Sequence, residues 1–287
     1  MTIRNPLEWG ADQVKQTNIA MESAGRALGA IEANLHSPAP EVRRIGVADL
    51  GDALARGVAD FAASRSDVVF LCAIYPVIGL LLGRLAFGYE MVPLLFPLAS
   101  GFALIGPFAA IGLNEMSRRR EERGEAGLAD ALAVVRSPSF AAIAVLGLML
   151  VAIFIAWLFA AETIYEATLG PAPPVSIGAF AHDVLRTPAG WAMIGIGIGI
   201  GFLFAVLVLV ISAVSFPLLL DRNVGFDTAV STSARVVARN PGTMALWGLI
   251  VAGGLALGSL PLFLGLVVVM PVLGHATWHL YRKAVAR

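Results

Sequence analysis

Apolar runs long enough to cross a bilayer dominate this sequence from Val68 onward. Six of them, at 68–87, 91–113, 140–161, 188–220, 243–260 and 262–281, approach or exceed the ~20 residues a spanning helix needs. Their central parts hold no Asp, Glu, Lys or Arg. In hydrocarbon each backbone N–H and C=O must be satisfied inside the protein, so such runs fold as helices. Composition agrees, with 58% hydrophobic and 14% charged residues and a mean hydropathy of +0.81; soluble domains carry about 25% charged residues. The pattern predicts an all-α polytopic membrane bundle of six transmembrane helices. The run at 188–220, 33 residues long, must tilt, kink or project from the membrane.

Residues 1–40 read as a polar N-terminal cytoplasmic segment, and residues 41–287 as the membrane domain. From Glu41 the text changes: Val42, Ile45, Leu50, Leu54, Val58 and Phe61 recur at helical spacing, predicting an amphipathic helix that runs up to the membrane surface. No signal peptide is expected, because the first long apolar run starts near Asp67; the first span then targets the chain. With the N-terminus inside, the inner segments hold eighteen Arg and Lys residues and the outer side only Arg84 and Arg186. Discounting the long first segment still leaves eleven against two, so both termini are expected in the cytoplasm. Arginine-rich, Ala- and Gly-rich text points to a bacterial inner membrane. A formal charge of zero argues against nucleic acid as a partner. The single Cys72 excludes a disulfide within the chain.

The runs carry an internal order. Leu50-Gly51-Asp52-Ala53-Leu54, Leu128-Ala129-Asp130-Ala131-Leu132 and Phe226-Asp227-Thr228-Ala229-Val230 precede the first, third and fifth runs. Each has the form apolar-x-x-Ala-apolar. The second run of each pair holds a proline in its inner half, at Pro107, Pro217 and Pro271, and a proline removes a helix hydrogen bond and kinks the helix. The expected architecture is three parallel helical-hairpin repeats, each preceded by an amphipathic surface helix. Small-xxx-small pairs at Gly79/Gly83, Gly195/Gly199, Gly197/Gly201 and Gly254/Gly258 suit close helix packing.

Candidate chemistry gathers at the inner ends. His275 and His279, four residues apart, share a helix face. Aligning the three prolines puts Asp221 at the offset of His275 and Glu115 at that of His279. Imidazoles and carboxylates so gathered would suit a divalent cation. The alternative is an interfacial belt, since Trp278, Tyr281 and Arg282 stand beside the histidines. Arg118, Arg119, Arg120 and Arg123 form a basic juxtamembrane cluster for lipid headgroups, with Glu121, Glu122 and Glu125 interleaved. No nucleophile–base pair or phosphate motif stands out, so neither an enzyme nor a cofactor is expected. The lack of ionisable residues at depth counts against an ion-coupled carrier; the polar groups there reduce to hydroxyls such as Ser100, Ser212 and Ser215.

Several motifs are more specific. Glu41-Val42-Arg43-Arg44-Ile45, Gly101-Phe102-Ala103-Leu104-Ile105-Gly106-Pro107-Phe108 running on to Glu115–Arg120, Leu219-Leu220-Asp221-Arg222, Asn240-Pro241-Gly242 and the run from Gly274 to Arg282 are similar to a family of bacterial integral membrane proteins. That family is the domain of unknown function 2189, and the resemblance covers about residues 41–283. It implies a multi-span inner-membrane protein and carries over no catalytic residue. The expected function is a non-enzymatic scaffold, accessory or lipid-interacting membrane module, with lipids, another membrane protein or a second copy as partner. The alternatives are a channel or carrier for a neutral or amphiphilic solute and, more weakly, a cytoplasmic-side metal site.

Overall fold

The structure, a computed structural model, describes residues 39–64, 77, 92–261 and 263–287. The expected first span, with Gly79, Gly83 and Arg84, falls outside the described residues apart from Val77. The described chain is helical: α1 (Val47–Ala63), α2 (Leu95–Ala109), α3 (Ile111–Arg123), α4 (Leu128–Leu132), α5 (Phe140–Thr168), α6 (Ile177–Arg186), α7 (Pro188–Ser212), α8 (Ser215–Asp221), α9 (Phe226–Arg239), α10 (Pro241–Ser259) and α11 (Leu266–Ala284). Four stretches are long and apolar enough to cross a membrane: Leu95–Arg123, Phe140–Thr168, Pro188–Asp221 and Pro241–Ser259. They correspond to the second to fifth expected spans.

The sixth expected span departs from its reading. Residues 263–265 form a turn in which Phe263 has φ +64°, and α11 starts only at Leu266. His275, His279, Arg282 and Lys283 then make its second half too polar for it to join the four. The second span departs too, because helix continues past the apolar run. α3 carries the arginine cluster to Arg123 and ends at Gly124, whose φ of +84° suits the left-handed C-cap position.

Proline places one break and leaves another helix whole. Pro217 has no N–H for the Ala213 carbonyl, and the long fourth span is interrupted there, between Ser212 and Ser215. The neighbouring α9 supports the break: Val214 N donates to Ser233 Oγ at 3.4 Å, and Ser215 Oγ lies 3.1 Å from the Ala229 carbonyl. Pro107 lies inside α2, which hands over to α3 at Ala110, whereas Pro271 leaves α11 continuous.

The short helices expected ahead of the spans form as α1, α4 and α9. In the first two, an aspartate three residues after the N-cap glycine accepts from the N-cap N–H, Asp49 from Gly46 at 2.9 Å and Asp130 from Gly127 at 3.1 Å. These caps pair Asp49, not Asp52, with Asp130, a shift of three residues from the sequence alignment. The shift keeps the same helix face inward, so Ala53, Ala131 and Ala229 are all buried.

Burial is concentrated where α1, α3, α8 and α11 meet. Leu50, Leu113, Met116, Phe216, Leu218, Leu219, Trp278 and Tyr281 are fully buried there. By contrast Leu148, Phe159, Ile198, Phe202, Leu203, Leu249 and Leu257 on α5, α7 and α10 are exposed. α1 seats on α11 through Gly57: a Cβ there would lie 2.7 Å from the Val272 carbonyl and 2.8 Å from Ala276 N. A strap at residues 41–45 closes the same end. Val42 pairs antiparallel with Val285, Arg43 N donates to Ala284 O at 2.8 Å, and Ala286 N donates to Glu41 O at 2.9 Å. The buried Asn240 accepts from Ile45 N and donates to Arg43 O, while Thr243 Oγ donates to Ile45 O.

Gly57→Leu is expected to unseat α1 and cost roughly 2 kcal/mol or more, because the contacted atoms are backbone and cannot move aside. Gly51 has nothing within 4 Å of a Cβ, so Gly51→Ala should instead stabilise α1 by about 0.5–1 kcal/mol. Thermal unfolding in detergent separates the two.

Candidate functional site

Helical spacing sets up the junction. Leu50, Ala53, Gly57 and Asp60 form the buried face of α1, which places a carboxylate on an otherwise apolar stripe. On α3, Ser117, Arg120 and Glu121 sit one turn apart, and on α11 so do His275, His279 and Arg282. Three helices that bury small and apolar residues against each other thus bring these polar groups to one place.

Asp60 is the centre. Its Oδ2 lies 2.6 Å from Ser117 Oγ and 2.8 Å from His279 Nε2, and Arg120 Nη1 lies 2.6 Å from Oδ1. Burial pushes the Asp60 carboxyl up, but the bonds from His279 and Ser117 outweigh it and hold the group below the ordinary carboxylate range. Ser117 Oγ also lies 2.8 Å from His275 Nδ1. A hydroxyl has one proton, and the ionised Asp60 can only accept. Ser117 therefore donates to Asp60 and accepts from His275, whose proton is on Nδ1. The other nitrogen, His275 Nε2, is buried with no partner among the described residues, as is Asn114 Oδ1.

A second network adjoins the first. Glu121 accepts from Trp278 Nε1 at 3.0 Å, from Arg282 at 2.9 Å and from Arg287 at 2.7 Å. Asp221 accepts from the Tyr281 hydroxyl at 2.6 Å and lies 3.4 Å from Arg282, whose guanidinium also stands over the Trp278 ring. Lys283 bridges Asp49 and Asp52 at 3.2 and 2.8 Å. The hydrogen bond to Asp52 and the bond and charge of Asp49 raise the Lys283 ammonium above its ordinary value, with burial opposing.

The four residues expected to form one ligand set are drawn to different partners. Glu115 accepts from Arg118 and Arg119, Asp221 faces Tyr281, His275 faces Ser117 and His279 faces Asp60. Among the described residues no three His, Cys, Asp or Glu side chains gather as a metal site. The proline alignment gave each residue its height along the bundle but not its direction around its helix. The arginine cluster is likewise largely taken up by acids: Arg118 by Glu115 and Glu122, Arg119 by Glu115, Arg120 by Asp60, with Arg123 at 3.9 Å from Asp130.

Of the glycine stripes, Gly254 and Gly258 pack on α11 and the turn before it, and Gly201 on Trp157, whereas Gly195, Gly197 and Gly199 meet nothing within 4 Å. The sequence does not single out Asp60 or Ser117, and marks Glu121 only as an acid among the juxtamembrane arginines. The signal for Asp60 was present, as an acid in register with Leu50, Ala53 and Gly57.

Residues 95–221 match the model of a family described as predicted integral membrane protein (DUF2189). The resemblance read from the motifs is thereby established over that stretch, which is narrower than residues 41–283. No curated protein and no solved structure matches the chain.

Two variants probe the Asp60 centre. Ser117→Ala takes a donor from the buried Asp60 carboxylate and a partner from His275 Nδ1 and should cost about 1–3 kcal/mol in unfolding free energy at neutral pH. The depressed Asp60 carboxyl contributes stability that is fully present above the unfolded value of about 3.9 and is lost as pH falls through the lower folded value. Asp60→Asn should therefore be less stable than wild type at pH 7 and converge on it in strong acid, read from melting temperature against pH.

Proposed function

We propose that this chain is a non-enzymatic, membrane-embedded accessory module whose apolar exterior meets lipid or a partner membrane protein. Its six crossings lie in a bacterial inner membrane, with both termini cytoplasmic. The observation that carries the reading is the exterior of Pro188–Asp221: only 6% of its most apolar stretch is buried inside the chain. A surface that apolar needs lipid or another protein against it.

Two further features favour a module over a carrier or an enzyme. The hydroxyls at depth are bonded to backbone carbonyls, Ser100 to Pro97, Ser212 to Val208 and Ser215 to Ile211, instead of lining a polar path. Ser117 with its neighbouring histidine and aspartate does not make an activated nucleophile, because His275 Nδ1 already carries a proton and cannot take the hydroxyl's. The matching caps of α1 and α4 and the buried alanines of α1, α4 and α9 support three parallel repeats.

Native mass spectrometry of protein released from lipid nanodiscs is expected to show retained lipid, a second copy or a co-extracted membrane protein; a bare monomer overturns the reading. Orientation is checked on a Cys72→Ala background by labelling single cysteines in whole cells. Ser176→Cys should react with a membrane-impermeant maleimide, whereas Arg287→Cys should react only after permeabilisation.

A further inference from the structure

Beside the Asp60 centre lies a cavity of about 400 Å3, and five cations stand in its wall: Arg56 from α1, Arg120 from α3, and Arg282, Lys283 and Arg287 from α11 and the tail after it. Only two acids share that wall, Asp60 and Glu121. Both are already engaged by three side chains each, Asp60 by Ser117, Arg120 and His279, Glu121 by Trp278, Arg282 and Arg287. Arg56 and Lys283 draw compensating charge from Asp49 and Asp52, which lie outside the wall. A guanidinium offers five N–H donors in a planar fork. Arg282 is shared with Asp221 as well, so each cation of the wall already has an acidic partner, but its guanidinium forks still offer more N–H donors than those acids take up. The heads of Arg56 and Arg287 are the open ones, with side chains 62% and 76% exposed.

An oxyanion in this cavity would be held by several guanidinium forks at once, the geometry that suits phosphate. The height fits as well. The apolar run of α2 and α3 stops near Leu113, and Arg120 follows seven residues later, about 10 Å along the helix. That is where headgroup phosphates lie when the apolar run fills the hydrocarbon.

We propose that this cavity is a phosphate-binding site that takes the phosphate of an anionic phospholipid or a free phosphate ion. The lipid source rests on the membrane-module reading; the site itself rests on the wall.

Two measurements test it on the full chain: retention of phosphatidylglycerol in native mass spectra from mixed phosphatidylcholine–phosphatidylglycerol nanodiscs, and the melting shift caused by inorganic phosphate in neutral detergent. Arg56→Ala/Arg287→Ala should weaken binding about tenfold or more. Arg56→Lys/Arg287→Lys should retain much of it, and Arg136→Ala/Arg239→Ala, which removes equal charge away from the cavity, should leave it unchanged. Circular dichroism verifies that all are folded. Retained lipid without a phosphate response identifies the headgroup as ligand, and the reverse identifies the free ion; either supports the site. It is overturned if neither probe binds the wild type, or if the two alanine pairs lose binding equally. Lipid retained alike by every variant removes the site and leaves the membrane module standing. A bare monomer that still responds to phosphate through Arg56 and Arg287 does the opposite.

Discussion

A carboxylate taken out of water must be given donors, and Asp60 obtains them only where three helices meet. One comes from Ser117 and one from Arg120 on α3, and one from His279 on α11. The approach that permits this is fixed by Gly57, where α1 and α11 nearly touch. The polar and steric requirements thus point to one docking geometry, since α1 cannot back away to relieve the crossing without stranding Asp60. Removing one partner of such a buried charge is far costlier than the pair's net contribution. The strap at residues 41–45, the Glu121 network and the buried aromatic pair Trp278 and Tyr281 are arranged around that junction.

The membrane character was legible because it depends on long runs, and hydrocarbon imposes the same demand on each residue of a run. Four spans therefore appeared where the text put them. The sixth run does not stand with those four, because α11 follows Val267, Val268 and Val269 with a polar half from His275 onward. Heights were readable and azimuths were not. Spacing along a helix sets the height of His275 or Glu115, but which way each side chain points depends on crossing angles that no single helix encodes. The Asp60 centre was obscured because an aspartate among Asp49, Asp52 and Arg56 reads as one more charge on a solvated face. Only its register with Leu50, Ala53 and Gly57 sets it apart.

The motifs read from the sequence lie largely at this end of the bundle, though the family model matches residues 95–221 alone. Glu41–Ile45 forms the strap, Asn240 fastens it, Asp221 and Arg222 face the end of α11, and the run from Gly274 to Arg282 supplies both histidines and the Glu121 partners. The apolar faces of α5, α7 and α10 ask only for hydrophobicity, and many side chains meet that requirement. Hydrogen-bonded contact points ask for particular side chains, so recognisable text gathers there.

The strap and α1 leave the ribosome well before α11, whose surface they need. Asp60 and His279 are 219 residues apart in sequence. At translation rates of about 5–20 residues per second, Asp60 waits roughly 10–45 s for its histidine. Through that interval α1 has an apolar stripe with an acid in it and no α11 to cover either. The junction of α1 with α11 therefore closes only after the chain has been made as far as His279.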